Sequence, residues 1–349
     1  MPGDPLAMTA PTEPCPWAET TISAVHAAMA AGTLSCQTLT QMYLERIARY
    51  DQSSGLNAIV LTHPHALERA AALDAAWAEG RSLGALHGVP VIVKDNYHTA
   101  DLQTTAGSKA LAGFVPADDA YLVRRLRDAG AVILAKANMA EWAFSPYQTI
   151  SSIAGVTRNA YDLSRVPAGS SGGTAAAVAA NFGLVGLGTD TGNSIRGPAA
   201  HLSLVGLRPT LGLTSRAGII PLYRDYDTGG PMTRSVADTA RLLGVIAGYD
   251  PADPLTQYGH GHIPQNYLAA LDAQGLQGAR IGVLPALCDQ GDAEVTALFE
   301  QALQDLAQQG AAMIQPLDWH DLQAQSAALW RDTFHYDINA YLAATEGIP

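Results

Sequence analysis

A chain of 349 residues, 48% hydrophobic and 15% charged, is long enough to bury a large core and has the composition of a soluble globular protein. Its formal net charge of −12 and isoelectric point near 5.1 argue against nucleic acid or an anionic membrane as a partner, since both need a basic surface. Three widely spaced cysteines, Cys15, Cys36 and Cys288, form neither a disulfide framework nor a C-x-x-C motif and read as inert thiols.

In chain order, residues 1–18 are rich in Pro, Ala and polar residues without a period and read as a disordered lead. This lead lacks the basic and apolar regions of a secretory signal, and no uninterrupted apolar run reaches membrane-spanning length, so the expected location is cytoplasmic. Thr20 and Ser35 are candidate N-caps of two helices, the second striped by Leu39, Met42, Tyr43 and Ile47 at helical spacing. A third helix runs from about Pro64 to Ala78 and ends at Gly80. The texture then changes: GVPVIVKDN reads as a buried strand ending at Lys94. Asp118 or Asp119 caps a helix reaching Ala129, Gly130 closes it, and AVILAK (131–136) is a second buried strand. GSSGG precedes the helix former TAAAVAANF, a strand over 183–188 and the polar turn TDTGNS. ARIGVLP, a helix from about Ala293 to Gln309 closed by Gly310, and AAMIQPL repeat the strand, helix, strand order, and residues from Leu322 read as helical until Gly347. The alternation predicts one α/β domain over 19–349, with a central sheet covered by helices on both faces.

GSSGG (169–173) admits three readings. A phosphate cradle of the Walker type needs a Lys after the glycines, and none follows. A G-x-S-x-G nucleophile elbow is met formally by Gly169, Ser171 and Gly173, but DLSRVPA is no apolar strand leading into it, and His201 is the nearest candidate base. The third reading begins at Lys94. A lysine ending a buried strand has a lowered pKa and suits a general base, unless it reaches solvent or pairs with Asp95 or Asp190. In GTDTGNSIRGPA the backbone N–H groups of Thr191 to Ser194 can converge as an oxyanion hole, the alternative being a plain strand-to-helix connection.

GVPVIVKDN, TTAGSKAL, GAVILAKANMAEWA, GSSGGTAAAVAA, GLGTDTGNSIRGPA, LVGLRPTLGLTSRAGIIPL and GGPMTRSVADTARLL, in this order, together resemble the amidase signature family of serine hydrolases. The resemblance implies a single domain with a mixed central sheet and a triad in which Ser194 is the nucleophile, Ser170, after a cis peptide, the relay, and Lys94 the base. It further implies an oxyanion hole from the backbone of Thr191, Gly192, Asn193 and Ser194, a supporting network of Ser171, Asp190 and Arg196, and a substrate-lining loop through Ala143 and Ser145. Asn193 stands where the family commonly has a second glycine, and family members usually continue past this length, so part of the fold is expected to be missing at the C-terminus. The implied activity is hydrolysis of a small-molecule or peptide amide without cofactor or metal. The alternatives are a glutamine-dependent amidotransferase subunit, or an inactive member acting as a binding protein.

Two histidine pairs, His63 with His65 and His260 with His262, are spaced for metal ligation but lack a carboxylate at helical spacing. Tyr223, Asp225, Tyr226 and Asp227 border the substrate mouth or form a solvated loop.

Overall fold

Thr21 and Ser35 begin the first two helices: each accepts a backbone N–H through its hydroxyl, opening α1 (Ile22–Ala30) and α2 (Cys36–Ser54). The cap of α1 is therefore Thr21 and not the expected Thr20, because Thr21 is the residue in extended backbone facing the N–H of Ala24. The structure, a computed structural model, describes residues 16–82, 84–264, 266–284, 291–314 and 331–349. Most of the expected lead, Cys15 and Cys288 lie outside them.

β1 (Ile59–Thr62), α3 (Ala66–Ala78) and β2 (Pro90–Lys94) follow, then α4 (Tyr121–Asp128) and β3 (Val132–Ala137). Neither Asp118 nor Asp119 caps α4, whose N-cap position is Ala120; Asp119 instead accepts from Ala100 N and pairs with Arg127. After the short hairpin β4 (Ile150–Ser151) and β5 (Gly155–Val156) come α5 (Gly172–Ala179) and β6 (Val185–Asp190). β6 is displaced by two residues from the expected 183–188, since its ladder continues to the pair Asp190 and Thr228. α6 (Arg196–His201), β7 (Val205–Gly206), β8 (Thr228–Thr233) and α7 (Val236–Ile246) complete this part.

The six strands form one mixed sheet in the order β1-β3-β2-β6-β8-β7, with β3, β2 and β6 mutually parallel and the other pairings antiparallel. Every residue of β2, β3, β6 and β8 is buried, and since alternate side chains point to opposite faces, both faces are covered. α5, built of Gly, Ala, Thr and Val, is buried along its whole length and touches β2, β6 and β8. Its small side chains let its backbone lie close to the strands.

The described residues fall into two compact units, one within residues 1–265 together with 333–349 and one within 266–332. The second carries β9 (Arg280–Gly282), α8 (Ala293–Gln308) and β10 (Ala312–Ile314), the strands paired in parallel and α8 capped by Asp292. In the first unit, α9 (Phe334–Ala344) places Phe334, Ile338, Tyr341 and Leu342 against a cluster of Ala106, Leu111, Phe114, Met139 and Ile220. The helix expected from Leu322 is thus confined, among the described residues, to Phe334–Ala344. No described helix is long and apolar enough to cross a membrane.

Candidate active site

Lys94 is the last residue of β2, and Asp190 ends the neighbouring parallel β6, so both strands release the chain at the same edge of the sheet. That edge, at the carboxyl ends of parallel strands, is where α/β sheets place ligands. Lys94 is fully buried and does not reach solvent. Its Nζ donates to Ser170 Oγ at 2.7 Å and to Thr189 Oγ1 at 2.8 Å. Among the described residues no carboxylate lies within ion-pair distance of it, and Asp95 faces another buried ammonium, Lys136 Nζ, at 3.8 Å. Burial lowers the Lys94 pKa to about 7, against the upward pull of the more distant Asp227 and Asp190 carboxylates. The ammonium is thus easily converted to a free amine in contact with a serine hydroxyl.

The Gly169–Ser170 peptide is cis. Ser170 and Ser171 are both fully buried, and their roles diverge. Ser170 turns its hydroxyl to Lys94, whereas Ser171 Oγ donates to Thr189 O at 3.1 Å and accepts from Thr189 N at 3.2 Å. A hydroxyl stitched twice to a strand backbone is not poised to attack, and His201 lies at the end of α6 with Nδ1 3.4 Å from Val166 O, so the elbow geometry is absent. The flanking glycines have a packing cause: a Cβ at Gly169 would collide with Ser145 O and Gln148 O, and one at Gly173 with the Asn138 backbone. Ser171 N donates to Ser194 O at 3.2 Å, which joins GSSGG to the turn after β6.

In that turn the carbonyls of Asp190, Gly192, Asn193 and Ser194 are held and the N–H groups are left open. Arg208 Nη1 and Thr228 Oγ1 donate to Asp190 O, Arg196 Nη2 to Gly192 O at 2.6 Å, Gly197 N to Asn193 O at 2.8 Å and Ser171 N to Ser194 O. In a trans peptide the next N–H points opposite to the carbonyl, so fixing Asp190 O, Gly192 O and Asn193 O turns the N–H groups of Thr191, Asn193 and Ser194 away from these partners. Among the described residues none accepts from the N–H of Thr191, Gly192, Asn193 or Ser194. Asp190 is fully buried; burial pushes its carboxyl up, but the Arg196 guanidinium and the N–H of Ile195 outweigh this and hold it below the usual range. Arg196 meets it with Nε and Nη2, both at 3.1 Å, a two-pronged grip that also takes Gly192 O.

Ala143 is buried in the turn after Glu141, and Ser145 Oγ accepts from Tyr147 N and Gln148 N, so this loop's backbone packs on Gly169 while Phe144 remains half exposed. Sequence reasoning missed Thr189, the second acceptor for Lys94, and Arg208; both meet the site through tertiary contacts that no local pattern signals. It also left Asp227 in a solvated or bordering loop, whereas Asp227 is buried and accepts from Thr191 Oγ1 at 2.5 Å. His63 uses Nε2 on Asp101 at 2.9 Å and Nδ1 on His65 N at 3.0 Å, which occupies both ring nitrogens. Cys36 is buried, and burial followed by the Asp74 carboxylate pushes its thiol far above the usual range, in keeping with an inert thiol.

The model of the amidase family matches residues 38–346. A probable amidase of Arabidopsis thaliana is 38% identical over 340 residues, 93% of this chain and 64% of that protein. A glutamyl-tRNA(Gln) amidotransferase subunit of Symbiobacterium thermophilum is 45% identical over 288 residues, 81% of this chain and 57% of that one. The crystal structure of native peptide amidase from Stenotrophomonas maltophilia superposes with a TM-score of 0.86 at 47% identity, covering 94% of this chain and 67% of that one. The chain spans less than two thirds of the length of these curated relatives. It belongs to the amidase family.

Proposed function

We propose that this member of the amidase family cleaves a carboxamide to a carboxylate and ammonia or an amine through an acyl-enzyme at Ser194. The observation that carries the reading is the fully buried Lys94, with a pKa lowered to about 7, 2.7 Å from Ser170 Oγ. Neutral Lys94 takes a proton from Ser170 as Ser170 takes one from Ser194, and Ser194 Oγ bonds to the carbonyl carbon. The carbonyl oxygen becomes an oxyanion facing the N–H groups of Thr191 to Ser194, which need no reorganisation to receive it. The proton returns by the same path to the leaving nitrogen as the C–N bond breaks, and water then attacks the ester with Lys94 again as base. The likeness to a peptide amidase supports a peptide amide as the substrate class, bounded by the loop of Ala143 and Ser145.

The test is labelling with a fluorophosphonate and peptide mapping. The label is expected on Ser194, absent from Ser194→Ala and Lys94→Ala, and retained in Ser171→Ala; a label on Ser171 would overturn the assignment. A second reading, in which the chain releases ammonia from glutamine for a partner protein, draws on the 45% identity to the amidotransferase of Symbiobacterium thermophilum. Glutamine consumption by the purified protein distinguishes it from the first.

A further inference from the structure

β6 and β8 run antiparallel with Asp190 opposite Thr228, so the next pair beyond the ladder is Thr191 and Asp227. Thr191 opens the turn that carries Ser194, and Asp227 is the last residue before β8. Their side chains meet: Thr191 Oγ1 donates to Asp227 Oδ1 at 2.5 Å. Leu222 N donates to Oδ2 at 2.9 Å and Tyr223 N to Oδ1 at 3.3 Å, so three donors converge on a buried carboxylate that finds no acceptor to share a proton with among these partners. The loop closes on itself through the N–H groups of Tyr226 and Asp227, both bonded to Tyr223 O at 2.9 Å, which fixes the carboxylate before β8 begins.

We propose that Asp227 is a positioning residue for the reaction: its carboxylate clamps the Thr191 side chain and so sets the N–H groups of the 191–194 turn against the acyl oxygen. This rests on the reading of Ser194 as nucleophile. A cavity of about 80 Å³ beside Asp227 is lined also by Arg216, Arg224 and Tyr341. Arg216 is committed to Asp253, at 2.8 Å from Nε and 2.6 Å from Nη2, so it does not take the Asp227 carboxylate away from Thr191.

Two variants test the clamp from its two ends: Thr191→Val removes its donor, and Asp227→Asn weakens its acceptor. With an N-acyl amino acid p-nitroanilide as the probe, each should lower kcat about tenfold or more with little change in KM. The double variant should fall no further than about twofold below the weaker single, because both break one contact. Thr191→Ser, which keeps the hydroxyl, should restore most of the loss. Multiplicative losses in the double variant, or a Thr191→Ser as slow as Thr191→Val, would each overturn the proposal. Should Asp227→Asn not fold, the comparison of Thr191→Val with Thr191→Ser still decides the clamp. Fluorophosphonate labelling of the unmodified protein is read in parallel: a label away from Ser194 sinks the nucleophile assignment, whereas a label on Ser194 with the outcomes above sinks only the role of Asp227.

Discussion

Replacing Lys94 by Met should make the protein more stable at neutral pH and less stable in base. Lys94 is fully buried, and burial takes its pKa from 10.5 to about 7. The unfolded chain therefore binds more protons than the folded one between about pH 7 and 10.5, so stability rises with pH through that window and is lowest below it. Integrating the two titrations, the lysine lowers stability by about 4 kcal/mol at pH 7 and by only about 1 kcal/mol at pH 10, relative to a side chain that never titrates. Methionine has nearly the same reach and no charge, so it removes this penalty. Against the gain stand two lost hydrogen bonds, to Ser170 Oγ and Thr189 Oγ1, at roughly 1 kcal/mol each. Lys94→Met should thus be about 2 kcal/mol more stable than the unmodified chain at pH 7 and about 1 kcal/mol less stable at pH 10. Urea unfolding at the two pH values measures both, with hydrolysis of an amide assayed beside it and expected to vanish. A stability difference that keeps its sign and size across this range would refute the account, since it would mean that Lys94 titrates as it does in water.

Activity of the unmodified protein should rise about tenfold between pH 6 and pH 8, following the neutral fraction of a base with a pKa of about 7, and a stopped pH series of kcat/KM checks this. Arg196→Lys should lower kcat about tenfold or more while folding normally by circular dichroism, since one ammonium cannot hold Asp190 at two points and Gly192 O as well. Gly173→Ala should cost more than about 2 kcal/mol in thermal or urea unfolding, because the new methyl group meets the fixed backbone of Asn138.

The sequence by itself determined the class of fold and named the candidate site residues. Helices such as α2 and α8 follow from local rules, Ser35 and Asp292 capping apolar stripes, and the buried strands β2 and β3 follow from short apolar runs. The motifs GVPVIVKDN, GSSGG and TDTGNS pointed to Lys94, Ser170 and Ser194, and the structure gathers their segments at one sheet edge. Tertiary structure decided what local signals do not carry. The boundary of β6 moved because its ladder with β8 extends to Asp190 opposite Thr228, a partner far along the chain, and what each serine of GSSGG meets, Lys94 for Ser170 and Thr189 for Ser171, is set by tertiary contacts. The sequence leaves Asp227 either bordering the substrate mouth or in a solvated loop, and the antiparallel register of β6 and β8 brings it opposite Thr191. Burial removes the water that would otherwise solvate a carboxylate or an ammonium, and with it go both the ordinary pKa and the freedom to stand unpaired. No window of sequence states that loss, because it is set by residues packed from elsewhere in the chain.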